Sequence, residues 1–109
     1  MTSAKKQSKG TRTPCPLAKT AAVIGNAYVL LMVRDLLEGP RHFCELESSL
    51  AGISTRTLAQ KLKMLEKKGL VTRSGGVLPR TRAAYTLTAR GRGLKKVADA
   101  MVAYGKKYL

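Results

Sequence analysis

The stretch ISTRTLAQKLKMLEKKGLVTR, residues 53–73, leaves few folds open. Leu58, Leu62 and Leu65 recur at helical spacing and fall within about 60° of one another around a helix axis, so a helix over about 55–68 buries that side. Ser54 stands at the N-cap, its hydroxyl placed to accept from an otherwise unpaired backbone N–H, and Gly69 supplies the C-terminal stop. Leu70-Val71-Thr72-Arg73 then reads as a β-type run, Ser74-Gly75-Gly76 permits a turn, and Ala84-Tyr85-Thr86-Leu87 is a second β-type run. A helix thus feeds directly into a two-stranded hairpin with a loop of about ten residues.

The rest of the chain is helical. Pro at a first helical position is preorganised for a helix, so folded structure is expected to begin near Pro14-Cys15-Pro16. Leu17, Ala21, Val23 and Ile24 make a short helix interrupted at Gly25-Asn26, and a second helix follows over about 27–38 until Gly39-Pro40. Phe43, Leu46 and Leu50 support two turns of helix over 42–50, which Ala51-Gly52 breaks. Thr88 is placed to cap a last long helix carrying Leu94, Val97, Ala98, Met101, Tyr104 and Tyr108 on one stripe. Residues 1–13, rich in Lys, Ser, Thr and Gly without an apolar period, read as a disordered basic N-terminal arm, leaving one domain over 14–109. The expected fold class is mainly α with a small two-stranded β-hairpin. Two consecutive helices joined by a Gly-containing turn, followed by a hairpin, are the parts of a winged helix-turn-helix domain, a nucleic-acid-binding scaffold.

Charge points the same way. The net charge is +15, and its placement is uneven: residues 54–109 hold fourteen Lys and Arg against two acids, while residues 21–53 hold two bases against four acids. Basicity confined to an arm and the second half implies a polyanionic partner, since a surface charged only for solubility mixes both signs. The polar side of the 55–68 helix carries Arg56, Gln60, Lys63 and Lys67. Arg matches the guanine N7 and O6 acceptors and Gln pairs with adenine, so Thr55, Arg56, Thr57 and Gln60 are the expected base readers at the N-terminal end of a recognition helix. Ser54, Lys61, Lys63 and Lys67 are the expected phosphate contacts, and Arg73, Arg80 and Arg82 belong to a basic wing that lies along the backbone or enters the minor groove.

Other classes fare worse. No paired carboxylates, phosphate-binding glycine loop or nucleophile with a base suggests an enzyme, and His42 beside Phe43 reads as a helix-start or turn residue. Cys15, Cys44 and the single His42 cannot fill a four-ligand zinc site, so neither metal nor cofactor is expected. No run of 18 apolar residues and no apolar signal segment appear, so the expectation is a cytoplasmic, nucleoid-associated protein with no membrane partner. Single-stranded binding lacks its stacking aromatics. The standing alternative is an architectural, chromatin-type protein that coats double-stranded DNA through the same scaffold without choosing a sequence.

In order along the chain, Cys15-Pro16, Ile24-Gly25, Gly39-Pro40, RHFCEL at 41–46, Gly52-Ile53-Ser54, Leu58 with Leu62, LEKKGLVTR at 65–73, and Tyr85-Thr86-Leu87-Thr88 with Gly91 resemble the HxlR-type transcription regulators, winged-helix relatives of MarR. The resemblance covers about residues 14–104. It implies a homodimer on a pseudo-palindromic operator, responsive to an oxidant or to a small-molecule effector of unknown identity. Ala27-Tyr28 stand where the family typically has Lys-Trp, and Ala83-Ala84 precede Tyr85 in a wing one residue longer than usual. Dimerisation also follows from the residues: a last-helix stripe too long for one small core, with an apolar first helix, packs against its two-fold mate and sets two recognition helices about 34 Å apart. Leu17, Ala21, Leu94, Val97, Met101, Tyr104 and Tyr108 are the expected interface. Cys15, at a helix start with Arg12 and Lys19 nearby, is open to two readings, an unreactive reduced thiol or an oxidant-reactive sulfur favoured by that setting, and some members of the resembled family use a cysteine at the matching place in a disulfide across the dimer. Cys44 is the candidate partner, although its amphipathic helix equally suits a buried, inert thiol.

Overall fold

The computed structural model describes residues 15–75 and 83–109. The N-terminal arm and the wing residues Arg80 and Arg82 lie outside them. Helix α1 (Pro16–Ile24) starts as expected from its proline and is capped by Cys15. At Gly25 the axis bends by 84° into α2 (Ala27–Leu37), which Asn26 caps by accepting from the Tyr28 and Val29 amides. After Gly39-Pro40 come β1 (Arg41–His42) and α3 (Phe43–Ser49), then α4 (Thr55–Lys67), β2 (Val71–Ser74) and β3 (Ala84–Leu87). A four-residue α5 (Ala89–Arg92) and the long α6 (Lys95–Tyr108) complete the chain.

The core follows the apolar periods. Leu58, Leu62 and Leu65 of α4 are 0 %, 1 % and 0 % exposed, and they join Val29, Met32, Val33 and Leu36 of α2, Phe43 and Leu46 of α3, and Val71, Tyr85 and Leu87 of the sheet. Full burial of such side chains stabilises a fold by roughly 1.5–3 kcal/mol each relative to exposure. Asp35 is the one buried charged residue among those described. Its carboxylate accepts from Ser49 Oγ at 2.5 Å and from Arg34 Nε at 3.0 Å, tying α2 to the end of α3.

Two expectations need correction. The β2–β3 hairpin forms as expected, but it is not the whole sheet: β1 adds to β3, giving an antiparallel sheet in the order β1-β3-β2 with Arg41 opposite Tyr85 and His42 opposite Ala84. A two-residue strand has no room for alternation, and its partner lies more than forty residues away, so local pattern carries no trace of it. Nor does Thr88 cap one long helix. It caps α5 by accepting from the Gly91 amide, and tight turns from Gly93 N to Arg90 O and Leu94 N to Gly91 O separate α5 from α6. Tertiary contact sets this break. Gly91 is pressed against the Leu70 carbonyl and Leu87, and Thr88 is bound to the end of α4 through Thr88 N to Leu70 O, 3.0 Å, and Thr88 Oγ1 to Gly69 O, 2.7 Å.

A methyl at position 91 would overlap the Leu70 carbonyl oxygen and stand 2.9 Å from Leu87 Cδ2. Alanine is favoured over glycine in a helix by about 1 kcal/mol, yet overpacking against backbone outweighs that gain. Gly91→Ala is expected to lower unfolding free energy by about 1–3 kcal/mol in urea denaturation; an unchanged midpoint would mean that α5 does not seat on Leu70.

Candidate nucleic-acid interface

The caps at the start of α4 set its polar face. Ser54 Oγ accepts from the Thr57 amide at 3.0 Å and donates to Thr57 Oγ1 at 2.9 Å, so both residues serve the helix end. Thr55 Oγ1 donates to Glu47 Oε2 at 2.5 Å, joining α3 to the first turn of α4 and using the hydroxyl hydrogen that a base acceptor would otherwise receive. Its methyl is left for an apolar contact.

With the three leucines inside, periodicity sends Arg56, Gln60, Lys63 and Lys67 outward, and all four are exposed. Thr57 and Lys61 sit half-buried on a flank. The other flank meets the sheet. Thr55, Arg56, Ala59, Gln60, Lys63 and Glu66 of α4 line an open groove of about 690 Å³ whose far wall is Arg73 of β2 and Tyr85 of β3. Arg73 points to the same side of the sheet as Val71 by strand alternation, but it sits opposite Tyr85 where the core gives way to this groove. The structure therefore brings Thr55, Arg56, Gln60, Lys63 and Arg73 to one wall-and-floor arrangement, and leaves Ser54, Thr57, Lys61 and Lys67 off its lining.

Sequence reasoning missed three participants. Glu66 falls beside Ala59 around the helix axis, so the wheel that placed the cations also places this carboxylate in the groove. Tyr85 and Glu47 reach the site through strand pairing and helix packing, which no local spacing reveals.

Elsewhere, Cys15 is exposed and its Sγ accepts from the Ala18 amide at 3.4 Å. Cys44 is exposed too, which removes the buried-thiol alternative. Leu17 (78 % exposed), Met101 (49 %), Tyr104 (60 %) and Tyr108 (62 %) are open to solvent and Ala21 is exposed, whereas Leu94 and Val97 pack against the chain's own core. Between α2 and α6 runs a mostly apolar groove of about 580 Å³, lined by Leu30, Leu31, Leu37, Ala98, Met101 and Val102 with Arg34, Glu38, Lys95 and Asp99 at its margin.

Ser54→Ala removes the acceptor for Thr57 N and is expected to cost about 1 kcal/mol of unfolding free energy, with Ser54→Gly costing only a few tenths. Chemical denaturation of both variants measures the difference, and equal losses would deny the cap its role.

Comparison with known proteins places these features in context. The family model described as HxlR-like helix-turn-helix matches residues 23–109. An uncharacterised HTH-type transcriptional regulator of Synechocystis sp. is 36% identical over 97 residues, covering 87% of this chain and 70% of the relative. The HTH-type transcriptional regulator YodB of Bacillus subtilis is 34% identical over 99 residues, covering 88% and 87%. Among solved structures, the redox regulator HypR in its reduced form superposes with a TM-score of 0.78 at 27% identity, covering 85% of this chain and 92% of that one. Quinone-bound YodB superposes with a TM-score of 0.75 at 31% identity, covering 87% and 100%.

Proposed function

The chain belongs to the HxlR-like helix-turn-helix family of transcriptional regulators, winged-helix relatives of MarR, and from that membership we propose that it reads a specific double-stranded DNA sequence as a homodimer on a pseudo-palindromic operator. The observation that carries this reading is the convergence of Arg56, Gln60, Lys63 and Arg73 on one open groove beside α4. Arg56 and Gln60 take base edges in the major groove, with Thr55 offering its methyl and Thr57 supporting the helix end. Lys63, Lys67 and Lys61 reach phosphates and fix orientation. Ser54 acts by holding the helix start. The wing, from Arg73 outward, continues the contact along the backbone, with Arg80 and Arg82 assigned there from sequence.

The homodimer draws support from the exposed apolar side chains of α1 and α6 and from the apolar groove between α2 and α6. An isologous interface across Leu17, Ala21, Met101, Tyr104 and Tyr108 covers surface that a lone chain leaves wet. Leu94 and Val97 support it from beneath, since they already seat α6 on the core. No single helix among the described residues is long and apolar enough to cross a membrane, and a regulator of this kind works on cytoplasmic DNA.

HypR is named a redox regulator and YodB has been solved with quinone bound. By extension Cys15, exposed at the start of α1, is the proposed sensor, with Cys44 as a second exposed thiol. Peroxide or a quinone is expected to weaken duplex binding by the wild type and to leave Cys15→Ser unaffected. Unaltered binding by treated wild type would end the redox reading without touching the DNA-binding one.

The net charge of +15 favours one second reading, an architectural protein that coats DNA without selecting sequence. Selection of bound sites from a random duplex library separates the two: a regulator enriches a symmetric site and prefers it over random duplex by about 10³ or more at physiological salt, and a coater does not. On the selected site, Arg56→Ala and Gln60→Ala are each expected to cost about 1–3 kcal/mol and relax base preference, while Lys63→Ala weakens every sequence alike and lowers the salt slope by about one. Equal losses on all sequences for the three variants would contradict the assignment.

A further inference from the structure

Residues directly opposite one another in an antiparallel sheet share a face, so the pairings of Tyr85 with Arg41 and with Arg73 set three side chains in one row across the sheet. Ala83, Tyr85 and Leu87 alternate onto this face and are all buried, so it is the face that packs on the core. At Arg41 the row is closed, because that guanidinium donates to Glu38 Oε1 and to the Pro40 carbonyl, each at 3.1 Å. At Tyr85 and Arg73 it is open. Both line the groove beside α4, and among the described residues neither side chain has a hydrogen-bond or ion-pair partner.

Tyr85 is 3 % exposed, so its ring belongs to the core, yet among the described residues no side-chain oxygen or nitrogen is both buried and unpaired. Its hydroxyl, which bonds nothing in the fold, therefore comes to the surface, and the surface that Tyr85 lines is the groove. Packing of the ring fixes where that oxygen stands. Phenylalanine would keep the packing and forgo only the oxygen, which is left free to meet a ligand.

The rest of the lining chooses the chemistry of that ligand. Lys63 and Arg73 offer only donors, the Tyr85 hydroxyl can donate, and Arg56 adds a third cation against the single carboxylate of Glu66. An anionic oxygen suits this lining. A helix in a major groove about 12 Å wide is walled by sugar-phosphate backbones, and the flank of α4 that faces the sheet meets one of those walls. Gln60 and Lys63 line the groove from α4 and Tyr85 and Arg73 line it from the sheet, so a backbone lying along this flank passes the hydroxyl. We propose that the Tyr85 hydroxyl donates to a backbone phosphate of the bound duplex, while the Arg73 guanidinium takes another oxygen of the same phosphate. This rests on the duplex-binding reading above and adds to it a neutral contact that fixes the position of α4 in the groove without reading sequence.

The test uses the full chain and a duplex that wild type binds, in which single phosphates are replaced by uncharged methylphosphonates. Wild type is expected to lose about tenfold in affinity when one particular phosphate of each half-site is replaced. Tyr85→Phe is expected to bind that duplex, unmodified, and random duplex about fivefold more weakly, to keep the urea midpoint of wild type, and to lose less than about threefold further at that phosphate. Its salt slope is expected to stay as in wild type, because no charge is removed, whereas Arg73→Gln lowers the slope by about 0.9. Unchanged affinity in Tyr85→Phe overturns the proposal. So does a loss accompanied by a lowered urea midpoint, which makes the hydroxyl structural, or a loss that adds in full to that of every methylphosphonate, which leaves the hydroxyl no phosphate partner. A changed base preference in Tyr85→Phe gives the hydroxyl to a base edge and overturns it as well. If inorganic phosphate binds wild type and not Tyr85→Phe while both hold duplex equally, the groove serves a small anion and the proposal fails. Wild type that binds no duplex sinks the underlying reading with it; in each other case that reading stands.

Discussion

Burial of Leu58, Leu62 and Leu65 is the contact on which the rest of the molecule depends. These side chains are almost wholly withdrawn from solvent, and they meet the apolar faces of α2, α3 and the sheet in a single core. Because successive helical residues are about 100° apart, fixing three leucines inward fixes Arg56, Gln60, Lys63 and Lys67 outward with no freedom to rotate. The chemistry of the exposed face is a consequence of the packing of the hidden one. A helix held this firmly fixes where the exposed side chains leave the backbone, so a ligand met by that face need not order the backbone that carries them.

Around that core, a few polar links settle how the elements are oriented. The Thr55 to Glu47 bond joins the two helices of the helix-turn-helix at the end that faces the groove. Asp35, accepting from Ser49, fixes the end of α3 to α2, and a carboxylate buried this deeply is tolerable only because its oxygens are occupied. Thr88 joins the end of α4 to the start of α5, so the hairpin begins and ends at one point. Each of these bonds connects segments that hydrophobic contact alone would leave free to slide.

The distribution of charge acquires a geometry from this arrangement. Cations on α4 and β2 gather along one groove. Exposed apolar side chains lie on other elements: Leu17 of α1, Leu31 of α2, and the later turns of α6. Cationic and apolar exposed surfaces are thus carried largely by different elements.

Much of this was legible from residues alone. Strong helical periods, Pro16, the break at Gly25-Asn26, the cap Ser54 and the glycines at 39 and 69 are local signals, and α1, α2, α4 and the β2–β3 pair stand where they indicate. The outward side of α4 was legible for the same reason, since it follows from the spacing of three leucines. What local pattern could not carry was pairing at a distance. Strand β1 exists only because Arg41 and His42 come to rest beside β3, and α5 separates from α6 because Gly91 must fit against the Leu70 carbonyl. Sequence determined which side chains are buried and which are offered, because periodicity and charge are properties of neighbours along the chain. Tertiary structure alone decided that Arg73 and Tyr85 face Arg56 across a groove, that Thr55 spends its hydroxyl on Glu47, and that Arg90 stands beside Gly69, because these are meetings between segments whose distance in sequence says nothing of their distance in space.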